Sequence, residues 1–230
     1  MPEFGGFPPA TFAFLDGIAA HNEKPWFDAN RALYEAGYVE PGKAFVAAMG
    51  PRLKELSPTV EFDAKVNGSI GRINRDIRFS KNKQPYKTHL ALWFWHGERK
   101  GWDRPGFYLH LGQDGLFLGA GMHGLQGEVL ESFRQSVIHP RSAKALLAAV
   151  AAVEGAGSYT IGETTRKQLP RGYAADGPAA RYLLNESLHA GVELPKQAAG
   201  EADFLDICTQ HFRAMWPITK WLLDEVGTAD

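Results

Sequence analysis

The chain reads as an α+β protein: a single domain with a mainly antiparallel central sheet packed by N- and C-terminal helices. Three observations predict it. Apolar residues recur at helical spacing toward both ends. Residues 60–123 instead carry short aromatic runs separated by Gly- and Pro-containing turns, and no low-complexity linker divides the two patterns. The expected domain spans residues 7–226.

Thr11 is placed to cap a first short helix carrying Phe12, Leu15 and Ile18, and Pro25 suits the first turn of a second, ahead of Trp26, Phe27, Asn30 and Tyr34. After Pro41 and Gly42, the spacing of Phe45, Met49, Leu53 and Leu56 predicts a third helix that Gly50 and Pro51 should kink or divide. Residues 88–96, THLALWFWH, are too uniformly apolar for an exposed edge and predict a central strand. GFYLHLG and LFLGAGM follow as a hairpin turning at Gly112, Gln113, Asp114 and Gly115. Between them GERKGWDRPG is a polar loop whose Trp102 serves either as a hydrophobic plug or as a lid. Helices are expected over 128–138, 141–153, 179–189 and 203–226, the last bending near Pro217, with QLPRGYAADGP as an irregular insertion. An aromatic strand this apolar should not face solvent on one side, so a half-barrel, or a homodimer covering the face, are variants of the same expectation.

With 44% of its 230 residues hydrophobic, the chain can bury a substantial core, which excludes a disordered tail. No apolar run approaches the roughly 20 residues that cross a bilayer, and MPEFGGFPP lacks the pattern of a secretory signal. Cys208 is the single cysteine, in an amphipathic run that suits a buried thiol, so a cytoplasmic setting is expected.

Function concentrates in RINRDIRFSKNKQPYK, residues 72–87. Arg72, Arg75, Arg78, Lys81, Lys83 and Lys87 surround one acid, Asp76, in a molecule whose formal charge is only -1. Such a cluster in a near-neutral chain favours a focused anion site over a polyanion-coating surface. Arginine grips phosphate or carboxylate with two parallel hydrogen bonds, and Asp76 is placed to orient Arg75 or Arg78. The candidate ligand-binding set is Arg72, Arg75, Asp76, Arg78, Lys83, Tyr86 and Lys87, with Tyr86 shaping a pocket wall and Phe79 and Tyr86 anchoring the segment. The ligand would be a small phosphorylated or carboxylated compound; the motifs name no cofactor. Two alternatives stand beside it: a salt-bridge network tying the loop to the body of a noncatalytic interaction module, and a broader nucleic-acid surface with exposed aromatic platforms. Were the protein an enzyme, the cations would stabilise a developing oxyanion, with Asp76 and His110 as candidates for proton transfer.

His89, His110 and His123 fall in or beside three successive strands, so a suitable register would let them share a metal, although no HxxxH pair or cysteine pair accompanies them. Cys208 has His211 three residues away, but apolar neighbours favour a packing role. GAGMHG lacks the spacing of a dinucleotide fingerprint and the Lys of a phosphate-binding loop.

The ordered combination of FLDGIAAHNEKPWFDANRALY, GRINRDIRFSKNKQPYKTHLAL, FYLHLG, FLGAGMH and KQLPRGY resembles the family classified as domain of unknown function 2461, over about residues 7–225. The resemblance carries Asn22, Trp26, Phe27, Arg72, Arg75, Asp76, Arg78, Phe79, Lys83, Pro85, Tyr86 and Lys87 as landmarks, then Leu169, Pro170, Gly172 and Tyr173. It implies a shared domain and assigns no catalytic roles. Gly177 precedes Pro178 where a histidine is expected from the family, which weighs against a base at that position.

Overall fold

A computed structural model describes residues 4–98, 101, 103–162, 164–174 and 177–227. Trp102 therefore lies outside the described residues. The N-terminal third is helical: α1 (Pro9–Ala20), α2 (Lys24–Ala29), α3 (Arg31–Tyr34), a π-helical turn at Glu35–Val39, and α4 (Glu40–Leu56). Strands follow as β1 (Val60–Glu61), β2 (His89–His96), β3 (Gly106–Gly112) and β4 (Leu116–Met122). Then come α5 (Gly127–Ile138), α6 (Pro140–Ala156), β5 (Thr160–Ile161), β6 (Leu188–Leu194) and α7 (Phe204–Trp221). The six strands form one antiparallel sheet in the order β1-β2-β3-β4-β6-β5, so the α+β class with helices from both ends holds.

The chain separates into two compact units. The first comprises residues 1–94, 108–118 and 193–209; the second comprises 95–107, 119–192 and 210–230. In the first, α1 buries Thr11, Phe14, Leu15 and Ile18 along one stripe. Thr11 is thus an interior residue rather than the expected cap: Pro9, whose φ is already helical, starts the helix earlier. Along β2, Leu90, Leu92 and Phe94 are buried while His89 and Trp93 are only half-buried, which is the period-two signature of a strand with two different faces. Phe94 meets Phe45 of α4 edge-on at 6.4 Å, and Phe45 also touches Phe4, Phe7 and Phe204. Along its edge the Trp93 backbone N–H donates to the Ser69 carbonyl at 2.9 Å and the Gly71 N–H to the Ala91 carbonyl at 2.8 Å, so residues 69–71 pair edgewise with β2.

In the second unit the apolar side of β3 begins at Phe107, which packs on Phe212 and Trp216 of α7 at 5.2 and 5.9 Å. Here β5 pairs with β6, Thr160 opposite Gly191 and Ile161 opposite Ala190. The helix expected over 179–189 is corrected: a short 3₁₀ turn at Ala180–Leu184 gives way to β6, because pairing with β5 overrides a locally helical sequence. Pro51 does not divide α4 either. It lies on the solvent side, where water can satisfy the Ala47 carbonyl that a proline cannot.

The π-helical turn has a job in the core. It swings Tyr38 fully inside, where its hydroxyl donates to the Gly71 carbonyl at 2.8 Å and burial pushes its pKa up. Gly37 beside it touches α1: a Cβ there would stand 2.3 Å from the Ala10 carbonyl oxygen. Alanine would gain ~1 kcal/mol of helix propensity, but overpacking against a backbone oxygen costs roughly 1–3 kcal/mol. Gly37→Ala should therefore lower the urea midpoint with an unchanged m-value; an equal or higher midpoint would show that α1 does not pack this tightly.

Candidate functional site

Residues 72–87 form neither a helix nor a simple crossover. Lys87 N–H donates to Ile73 at 2.7 Å, Arg75 N–H donates to Pro85 at 2.9 Å, and Asn74 bridges antiparallel to Tyr86. The segment is an arm, paired at its base and open over residues 76–84. Pro85 is tolerated because the ladder uses its carbonyl and needs no N–H from it. The base is tied to the N-terminal helices by Asn22, whose Nδ2 donates to the Tyr86 carbonyl and whose Oδ1 accepts from the Tyr86 N–H, both at 3.0 Å. The Tyr86 ring, 6% exposed, stacks on Phe27 of α2 at 4.5 Å.

Most of the arm's polar side chains hold the arm itself. Arg75 donates to the Gln84 carbonyl at 3.2 Å and to Ser80 Oγ at 3.4 Å. Arg78 forks onto both Asp76 oxygens, at 3.0 and 2.6 Å, and its backbone N–H reaches the same carboxylate; these bonds, aided by Arg72, hold Asp76 below the usual carboxylate range. Lys83 Nζ donates to the Ile77 carbonyl at 2.9 Å, and the Asn82 side chain closes on Gln84. Phe79 is not the expected core anchor. It is 94% exposed at the open end, with the Arg78 guanidinium 5.8 Å from its ring centre.

Arg72 and Lys87 differ from the rest. Among the described residues, no hydrogen bond or ion pair engages the guanidinium of Arg72 or the ammonium of Lys87. Arg72 is exposed and Lys87 is half-buried; burial first, then the Arg72 charge, pushes the Lys87 pKa down.

Lys87 leads directly into β2, and two residues on stands His89. Its imidazole stacks on that of His110 in β3, ring centres 4.0 Å apart and planes 22° from parallel. A cleft of about 220 Å³ is lined by Ala19, Gln84, Thr88, His89, His110 and Gly112, among others. A second, of about 360 Å³, lies along His110, Asp114, Leu116, Phe117 and Glu193. His110 is common to both. The Tyr108 hydroxyl lies 3.3 Å from His110 Nδ1, leaving Nε2 toward Gly112, where an added Cβ would stand 3.2 Å from it. Burial, then His110, then Lys87 push His89 down to about 4, and burial lowers His110. Both rings are neutral near pH 7 and able to accept a proton.

The three histidines weighed as a metal set separate into different pairs. His89 stacks on His110, whereas His123 stacks on His189 at 4.0 Å, and among the described residues no group of three or more His, Cys, Asp or Glu is placed to hold a metal ion. Cys208 is buried, and desolvation raises its thiol well above the ordinary value, away from nucleophilic use; His211 Nδ1 is taken by the Tyr159 hydroxyl at 2.9 Å. No helix among the described residues is long and apolar enough to cross a membrane.

The site residues that sequence reasoning missed are His89, as the partner of His110, and Gln84 and Thr88 on the cleft wall. Period-two spacing was the available signal: Lys87 and His89 alternate along one strand, and Tyr108 and His110 along the next. Replacing Asn22 with alanine leaves both Tyr86 backbone groups without their partner, at a cost of roughly 1–3 kcal/mol. Trypsin should then cut faster after Arg78, Lys81 or Lys83 while cleavage elsewhere keeps its rate; unchanged cleavage in the arm would mean that Asn22 does not hold it.

No curated protein matches the chain. A family match covers residues 10–221, from the second residue of α1 through the arm and the sheet strands to the end of α7. The chain therefore belongs to the family described as "Conserved hypothetical protein (DUF2461)".

Proposed function

We propose that the protein binds a small phosphorylated or carboxylated compound at the base of the arm, where Arg72 and Lys87 meet the cleft of His89, His110, Thr88 and Gln84. The observation that carries this reading is the Lys87 ammonium: a half-buried cation with no carboxylate partner, beside a second cation, leading into a cleft walled by hydrogen-bonding side chains. Leaving such a charge partly desolvated and unpaired costs stability, and an anion offsets that cost. Arg75, Asp76, Arg78, Lys83 and Tyr86 contribute by fixing the arm, so little ordering remains to be done on binding. A reduced, buried Cys208 fits a cytoplasmic setting for this activity.

A second reading, docking of a macromolecular partner in a noncatalytic module, is favoured by one observation: Phe79, almost fully exposed among Arg78, Lys81 and Lys83. It uses the opposite end of the arm.

Thermal unfolding against inorganic phosphate, sugar phosphates and small dicarboxylates at fixed ionic strength separates the two. A hundredfold excess over Kd stabilises by about 2.7 kcal/mol, or roughly 5–10 °C for a chain of this size. Lys87→Met and Arg72→Met should abolish that shift, and Lys81→Met should retain it. Equal shifts in all variants, or no selective shift with any compound, would overturn the small-ligand reading.

A further inference from the structure

The stacked histidines add something that a simple cation cleft lacks. His89 and His110 sit face to face at 4.0 Å in the wall of the cleft, and the charge of Lys87, two residues before His89, reaches the His89 ring. Among the described residues only one of their four ring nitrogens, His110 Nδ1, has a hydrogen-bond partner, the Tyr108 hydroxyl. Two imidazolium ions at this separation repel, so the pair accommodates one proton in place of two. The groups facing it are few. Lys87 stands on the arm side, with Arg72 beside Lys87, Tyr108 beside the pair on β3, Asp114 on the β3–β4 turn and Glu193 on β6. The carboxylates of Asp114 and Glu193 belong to exposed residues and are screened by solvent, whereas the imidazoles are half-buried.

Arg72 is exposed and screened by solvent, so a monoanion in this cleft is matched mainly by the half-buried Lys87. A compact dianion carries a second negative charge, and the nearest group able to acquire a compensating positive one is the imidazole pair. Resting on the anion-site reading above, we infer that the cleft selects a compact dianion, of the phosphate-ester or dicarboxylate class, and binds it with uptake of one proton on the His89–His110 pair. Atoms balance simply: solvent supplies the proton, a ring nitrogen receives it, and no bond of the ligand changes. The sign follows from linkage. In the free protein burial holds both imidazoles below the ordinary value, His89 near 4; a bound dianion raises the pair, so affinity increases as pH falls between those two limits.

Sulfate is the probe, since it stays a dianion from pH 5 to 8. Calorimetry in buffers of different ionisation enthalpy should show saturable binding that tightens by up to about tenfold per pH unit as pH falls, with about one proton taken up per sulfate. Nitrate should bind more weakly, with little proton uptake. In His89→Gln/His110→Gln the pH slope should vanish; should that variant not fold, imidazole nitrogen shifts of the wild-type protein with and without sulfate at pH 6 report the same proton. Sulfate binding with a flat pH profile and no proton uptake, or nitrate binding as tightly as sulfate at pH 5.5, overturns this inference and leaves the anion site standing. Absence of saturable sulfate binding at every pH overturns both.

Discussion

A side-chain amide does here what a neighbouring strand does elsewhere. Asn22, in the turn between α1 and α2, returns both hydrogen bonds of the Tyr86 backbone, and Phe27 closes over the ring. Those bonds join residues 64 apart in sequence, which fixes where the arm leaves the body of its unit. Because Lys87, Thr88 and His89 follow Tyr86 without a break, the same clamp sets which way the unpaired ammonium and the first cleft histidine face. Neutral hydrogen bonds of this kind contribute only about 1 kcal/mol each, yet two of them on one residue, under a buried ring, select a single placement.

The arm shows that positive charge in a sequence has two uses that the structure separates. Arg78 and Asp76 form an exposed pair of the kind that contributes roughly 0–1 kcal/mol to stability; its effect is local shape. Arg75 and Lys83 spend their donors on carbonyl oxygens of the open end. Arg72 and Lys87, at the base, have no such hydrogen bonds among the described residues, and Lys87 leads into Thr88 and His89 of the cleft wall. The field of the cluster is shared, but its half-buried cation stands at one end.

Much of this was legible in the sequence. An unbroken apolar, aromatic run pointed to β2, a glycine-flanked hairpin signal to β3 and β4, and helical spacing to α1, α2, α4, α5, α6 and α7, because each of these signals is local and strong. The arm's location was legible as a charge cluster. Three things were not. Residues 188–194 lack the aromatic density of the other strands and become β6 by pairing, which is a tertiary effect. Phe79 looked like an anchor by type, but Tyr86 had already taken the one buried aromatic position at the base, and the intervening turn carries Phe79 outward. The histidines could only be weighed as a set of three because strand order suggests neighbours, whereas β6 supplies His189 as the partner of His123. Register, which no composition reveals, decided which rings stack.

The central claim is one of place: an oxyanion belongs at the base of the arm. Crystals soaked in selenate or tungstate, with the anion located by its anomalous scattering, test it most directly. The account predicts a single ordered anion within hydrogen-bonding distance of Lys87 Nζ and an imidazole nitrogen of His89 or His110. Density confined to Arg78 and Lys81 at the far end of the arm, with the cleft occupied only by water, would contradict it.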